Sequence, residues 1–292
     1  MRNIILEMFQ WKLTDITEHL SEISEAGYNM IQISPLQPTK DNGSEWWKLY
    51  QPIDFTIGNT QIGTKKDLIN LCRAAHKYDI KVIADIVINH VASEENDSLT
   101  PHRNVSKLLT ENSSFWKSKQ VIRNWDDRHE VVTYSNGLPC LNLNNLELQD
   151  IIISFMNDYV TCGIDGFRID SAKSIALPSE GCGFWSRVMG EFENLFNYGE
   201  VIFSPKNIVD EYCNYCYVTT SSEASDDNKI VRYVENHDTY LDDIIGYTKR
   251  YNDETIIKAW ENLYNNHQNI LFYTRPFNDL WKDKRITRIN NR

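Results

Sequence analysis

Residues 163–174 read GIDGFRIDSAKS, and the run Gly166-Phe167-Arg168-Ile169-Asp170 inside it decides how the rest of the chain is read. Strict alternation places Phe167 and Ile169 on one face of a strand and Arg168 and Asp170 on the other. Burying a cation beside a carboxylate is costly unless the two pair or take part in chemistry. Taken alone, the segment is better served by a structural ion pair.

Working outward, short β-like runs recur at 4–9, 29–34, 81–87, 166–170, 199–203, 215–219, 231–235 and 269–273. Helical stretches separate them. Residues 14–26 form an amphipathic helix with Thr14 or Asp15 as cap and Gly27 as stop. Residues 64–77 carry Leu68, Leu71, Ala75 and Tyr78 along one stripe. Residues 146–161, 184–196 and 253–265 follow the same logic. Eight strands alternating with helices predict an α/β fold, the (β/α)₈ barrel, as one domain over residues 1–292. Two irregularities modify it. Residues 92–145 are long, polar and weakly periodic, which predicts a small inserted subdomain after the third strand. About ten residues join the sixth strand to the seventh, too few for the usual crossover helix, so that helix is predicted to be missing.

Composition narrows the function. Hydrophobic residues make up 41% of the 292, enough for one large core, and no apolar run approaches the ~18 residues of a spanning helix. A formal net charge of −11 disfavours nucleic acid or an anionic membrane as partner and suits a neutral ligand. Eight Trp and fifteen Tyr are present, and Trp46, Trp47 and Tyr50 sit in a loop-like setting where flat rings suit sugar faces. The six cysteines show one CxxC, Cys213 and Cys216, without the second pair a zinc site needs; isolated buried thiols of a reducing cytosol are the simpler reading. No signal-peptide pattern precedes the first strand, which favours a cytoplasmic protein.

The active site of such a barrel lies at the C-terminal strand ends. There the sequence offers Asp85, Asn89 and His90 after the third strand and Arg168 and Asp170 on the fourth. Glu200 follows on the fifth, and His237 and Asp238 come after the seventh. Each alone could cap a helix or satisfy a turn. Together, carboxylates from three strands suit glycoside cleavage by a retaining route, with two of them about 5–5.5 Å apart. Neighbouring strands lie about 4.8 Å apart, so the fourth and fifth meet that spacing. Arg168 would hold Asp170 charged, and crowding by other carboxylates would keep Glu200 protonated.

In this set the sequence resembles the α-amylase family, glycoside hydrolase family thirteen. The resemblance runs through FQW (9–11), GYNMIQISP (27–35), WWKLYQP (46–52), DIVINH (85–90), GFRIDSAKS (166–174), YGEV (198–201), VENHD (234–238) and LFYTRP (271–276), in the family's order. It implies Asp170 as nucleophile, Glu200 as general acid/base and Asp238 as the third carboxylate. It implies His90 and His237 on the same sugar, with Arg168 orienting Asp170. Tyr50 would lie under the cleaved ring with Gln51 beside it, and Trp46 and Trp47 would form a platform. Asp85 would support the site, and Lys173 would face the leaving group.

Some positions depart from the pattern. Ser174 stands where the family often has His. Cys140 stands where LPDL would supply an Asp to a structural calcium, leaving Asn89 as a candidate ligand with one oxygen donor fewer. Arg168, Asn236 and Arg275 match the positions used by chloride-binding members, so chloride is the alternative ion. Nineteen residues follow Tyr273, so no C-terminal β-sandwich is expected, and the trimmed barrel implies an oligomer, a partner or limited stability. The resemblance implies endo-acting hydrolysis of α-1,4-glucans of the starch or glycogen type, or of maltooligosaccharides. A transglycosylase or oligosaccharide-specific α-glucosidase of the same clan shares these residues. A non-catalytic glucan-binding protein on a decayed barrel would not require the acid/base set.

Overall fold

A computed structural model describes residues 2–41, 43, 45–241, 250–276 and 278–292. Eight parallel strands form its main sheet: β1 (Asn3–Met8), β2 (Met30–Ile33), β3 (Lys81–Ile86), β4 (Gly166–Ile169), β5 (Tyr198–Glu200), β6 (Tyr217–Thr219), β7 (Val231–Tyr233) and β8 (Asn269–Tyr273). Their order in the sheet is sequential, with β1 also paired to β8, so the strands run round a barrel. Closure is incomplete. Between β6 and β7 the ladder reduces to a single parallel bridge, Val218 to Ile230. The connection there carries only the 3₁₀ turn Asp227–Lys229, so the crossover helix is absent, as the spacing predicted.

The strands are shorter than their sequence runs. β5 ends at Glu200 and not at 203, and β7 ends at Tyr233 and not at 235. Other boundaries shift similarly. The first helix is Leu13–Glu25, entered from Lys12 without a side-chain cap, so neither Thr14 nor Asp15 caps it. Gly27 follows it at φ 84°, the left-handed conformation glycine adopts most readily. The second helix, Lys65–Ala75, starts on a Thr64–Asp67 capping box. Leu68, Leu71 and Ala75 are buried, but Tyr78 lies beyond the helix in the turn His76–Tyr78 and is 43% exposed. The helix expected at 184–196 stops at Glu191. All six cysteines are free thiols, five of them buried.

Strand alternation builds two cores. Outward-facing residues such as Leu6, Ile31, Val82, Phe167 and Ile169 pack against the surrounding helices. Inside the barrel, Ile5, Met30, Ile83, Tyr198, Val231 and Leu271 form a separate apolar floor. Two residues further along the strands, the inward positions become Glu7, Gln32, Asp85 and Glu200, with Arg168 beside them on β4; of these all but Glu200 are buried. The barrel is therefore apolar at one end and polar at the other, and the polar end carries the site.

Residues 92–145 leave the barrel after β3. They hold two short helices, Lys107–Thr110 and Arg128–Thr133, are tied internally by a bridge from Trp116 to Leu141, and rejoin the residues after β3 through a bridge from His90 to Cys140. Among the described residues, no helix is long and apolar enough to cross a membrane.

Candidate active site

One guanidinium organises the polar end. Arg168 is 3% exposed, and its Nη1 donates to Asp85 Oδ1 at 3.0 Å and to Asp170 Oδ1 at 2.9 Å. Its Nη2 lies 3.0 Å from Glu200 Oε1. Arg168 is in register with Tyr198 and Ile169 with Gly199, so Asp170 and Glu200 are the next positions up on adjacent strands. Asp170 keeps Oδ2 clear of the arginine, 3.9 Å from His90 Nε2.

Glu200 is held at both oxygens, since Oε2 accepts from the Ser171 amide at 2.9 Å. Ser171 adopts φ 49°, a left-handed conformation that costs a non-glycine residue about 1 kcal/mol or more. The turn directly after the strand thus points its N–H back at the neighbouring carboxylate.

A second arm crosses the barrel. His237 Nδ1 donates to Glu7 Oε1 at 2.5 Å, and its Nε2 meets the Tyr50 hydroxyl at 2.7 Å. Tyr50 in turn donates to Asp85 Oδ2 at 2.8 Å. Asp238 Oδ1 sits 3.3 Å from His237 Nε2. The chain of contacts Glu7–His237–Tyr50–Asp85–Arg168 is continuous and ends on Asp170 and Glu200. Each charge removed from water is answered by a partner, the condition under which buried ionic groups are tolerated.

The charges redistribute protons. Burial pulls the His237 imidazolium down, but Asp238 and Glu7 override it and push the group up to about 9. Burial pushes Asp85 up to about 6, against Arg168. Burial likewise raises Asp238 to about 7, with His237 opposing. Burial also raises Glu200, yet Arg168 and the Ser171 amide outweigh it and hold the carboxyl below its ordinary value. The expectation that crowding keeps Glu200 protonated runs against this direction: the arginine lies against Glu200 and favours its charged form, and it is Asp238 whose value rises. Burial lowers His90, whose Nε2–H donates to the Tyr50 carbonyl at 2.9 Å.

These groups open into a cleft of about 470 Å³. Trp46, Trp47, Tyr50, Gln51, His90, Asp170, Lys173, Glu200 and Asp238 line it, all anticipated from sequence. Arg168, His237 and Asp85 stand behind that lining. Trp46 and Trp47 begin a 3₁₀ turn, Trp46–Tyr50, and Trp47 is 41% exposed. Gln51 presents a buried Oε1 without a hydrogen-bond partner.

Sequence reasoning passed over Glu7, Ser171, Asn136, Ile202 and Phe203. Glu7 had a signal: it is the one charged residue in the apolar run IILEMF (4–9). Phe203 lines the cleft at φ 54° and is 63% exposed, a setting that no periodicity marks.

The residues expected at the two ion positions have protein partners of their own. Arg275 spends its donors on Glu235 (2.5 and 2.9 Å), Asp253 (3.0 Å) and the Tyr251 carbonyl (2.6 Å). Asn236 Oδ1 accepts from the Thr239 amide and caps a helical turn. Arg168 likewise meets Asp85, Asp170 and Glu200 through its two terminal nitrogens. At the calcium position Asn89 Nδ2 faces Cys140 Sγ at 3.7 Å, and Asn89 Oδ1 is buried without a partner. A thiol and one amide oxygen do not make the oxygen shell a hard cation takes. Among the described residues, no three His, Cys, Asp or Glu side chains are grouped to hold a metal.

The arrangement matches known proteins. The family model "Alpha amylase, catalytic domain" matches residues 11–275. An alpha-amylase of Clostridium acetobutylicum is 30% identical over 98% of this chain and 43% of its own length. One of Butyrivibrio fibrisolvens is 26% identical over 94% of this chain and 35% of its own. The chain thus spans less than half the length of either relative. The crystal structure of alpha-amylase from Geobacillus thermoleovorans, complexed with acarbose, superposes with a TM-score of 0.76 over 99% of this chain and 76% of that one, at 20% identity, a likeness of fold. With the family match covering most of the chain and the strand-end acids gathered at one mouth, this protein is a member of the alpha-amylase family.

Proposed function

We propose that the chain hydrolyses α-1,4-glucosidic bonds of starch- or glycogen-type glucans or maltooligosaccharides, within the chain and with retention. The observation that carries this reading is the convergence of Asp170, Glu200 and Asp238 on one cleft, with Arg168 bonded to the first two. Asp170 Oδ2, the oxygen not bound by arginine, attacks the anomeric carbon as the glycosidic bond breaks. Glu200 gives its proton to the leaving oxygen, then takes one from the water that releases the glycosyl ester. Asp238 holds sugar hydroxyls and counters the positive charge that grows on the ring, and His237 supports it from behind the cleft lining.

The proton that Glu200 must donate begins on Asp238. A bound glucose excludes water from the cleft and brings hydroxyls to Asp238 that favour its charged form, so the proton of the coupled pair moves to Glu200. Gln51 Oε1 is a ready acceptor for one hydroxyl. The exposed rings of Trp46 and Trp47 suit the apolar faces of neighbouring glucose units.

A transglycosylating variant is favoured by one feature. Ile202 and Phe203 make the wall beyond Glu200 apolar, which receives a sugar acceptor better than water. Product analysis on starch against maltotriose separates the two.

The deciding experiment is hydrolysis of a chromogenic maltooligosaccharide by the parent and by Glu200→Gln. The substitution lowers kcat by about 10²–10⁴-fold, the worth of a general acid, while starch binding persists. Equal inertness of both proteins with starch still bound would establish the non-catalytic scaffold instead.

A further inference from the structure

The position where the family resemblance puts a calcium, beside Asn89 and Cys140, lies next to a side-chain cation. Lys117, half-buried, directs its Nζ to the Ser174 carbonyl at 2.7 Å. Its backbone N–H bonds the Cys140 carbonyl at 2.9 Å, which ties it to the residue standing where an Asp ligand is expected. The Lys117 charge acts on both Cys140 and His90. Arg128, from the same inserted segment, donates to the carbonyls of Lys173 and Ile175 and holds Glu180 at 2.7 and 2.9 Å. Three successive carbonyls, 173 to 175, are therefore taken by two cations of residues 92–145.

The loop they hold begins at Ser171, whose amide fixes Glu200. A divalent cation placed here would meet an ammonium and a thiol, with Asn89 Oδ1 the free oxygen. Coulomb repulsion and too few hard donors both oppose it.

We propose that Lys117, seconded by Arg128, replaces the divalent cation: its ammonium locks the inserted segment onto the loop after β4, and the fold requires no calcium. A tethered ammonium needs no loading, cannot be chelated, and reaches a carbonyl as a charge-assisted donor. The inference does not depend on the catalytic proposal, because its readouts are binding and melting.

Three measurements on the full chain test it. Metal analysis after gel filtration finds calcium far below stoichiometric. Thermal melts in EDTA and in millimolar calcium chloride coincide. Lys117→Met melts several degrees lower and becomes more susceptible to limited proteolysis within residues 92–145, and calcium does not restore it. Stoichiometric calcium in the parent, a fall in its melting temperature with EDTA, or a Lys117→Met protein that melts like the parent would each overturn the proposal. Should the variant not fold, the metal content and chelator melts of the parent decide alone.

Discussion

Arg168 and Glu200 form an ion pair of 3.0 Å between neighbouring strands, and the same guanidinium holds Asp170 through its other terminal nitrogen. Two acids with different tasks are thus spaced by one planar group. The carboxylate proposed to donate a proton also faces the arginine's charge, which favours its ionised form in the free protein.

Arg168→Met should cost more than a surface pair would. It leaves Asp85, Asp170 and Glu200 facing one another without a cation, and removing one partner of a buried pair costs about 3–5 kcal/mol. Chemical denaturation should show that loss. In whatever folded fraction remains, kcat on a chromogenic maltoside should fall about 100-fold or more, as expected when reacting groups are displaced. An Arg168→Met protein with parental stability would contradict the described network.

The pH–rate profile follows from the Glu200–Asp238 pair. Glycosidic cleavage requires one proton on that pair. Asp238 holds it with a value of about 7. Activity measured as kcat/KM should therefore decline as pH rises through about 7. Asp238→Asn removes the storage site, so the limb should move to lower pH, toward the depressed value of Glu200. A limb that stays in place in the variant would assign it to another group.

His237 links stability to pH with the opposite sense to an ordinary carboxylate. Its folded value of about 9 exceeds the unfolded ~6.5. The stabilisation is complete below about 6.5 and is lost as pH climbs through about 9, on the order of 3 kcal/mol. Glu7→Gln should flatten this dependence, because one of the two carboxylates that hold the imidazolium is gone. Melting temperatures from pH 6 to 9.5 for the two proteins would reveal the difference.

Gly166 opens β4, and a Cβ built on it would lie 2.0 Å from the Phe196 carbonyl oxygen. That contact is with backbone, which cannot swing aside. Gly166→Ala should destabilise the fold by about 3 kcal/mol, at the upper end of overpacking costs, and displace Arg168 two residues on. Gly183→Ala, where nothing lies within 4 Å, is the matched control and should be nearly neutral.

Phe203→Ala tests the wall beyond Glu200. Hydrolysis of a short chromogenic substrate should hardly change. Transfer to a maltooligosaccharide acceptor should weaken about five- to tenfold, equivalent to roughly 1–1.4 kcal/mol of lost contact. If the hydrolysis-to-transfer ratio does not move, this ring does not receive the acceptor.

Much of this was legible in sequence because it rests on periodicity of two and on residues at strand ends. Phe167 and Ile169 face helices while Arg168 and Asp170 turn inward, as alternation required. The short joint between β6 and β7 was legible as well, because a helix cannot fit into so few residues. What escaped depends on contacts between distant positions. The lowered value of Glu200 follows from an arginine touching it, a through-space fact that pattern alone does not contain. Lys117 looked like one polar residue in a polar insertion until its ammonium met the Ser174 carbonyl. Helix boundaries moved because Lys12 and Glu191 terminate helices by tertiary position and not by capping chemistry.

The seam between β6 and β7, closed by the lone bridge from Val218 to Ile230, runs between two halves of the chemistry. Glu200 stands at the end of the stave before β6, and Asp238 follows β7. Any widening of the barrel along that seam would change the separation of the two acids, and with it the Coulomb interaction between them. Mechanical slack and acidity would thereby be joined: ligands or solutes that tighten the joint would retune the titration without touching either carboxylate.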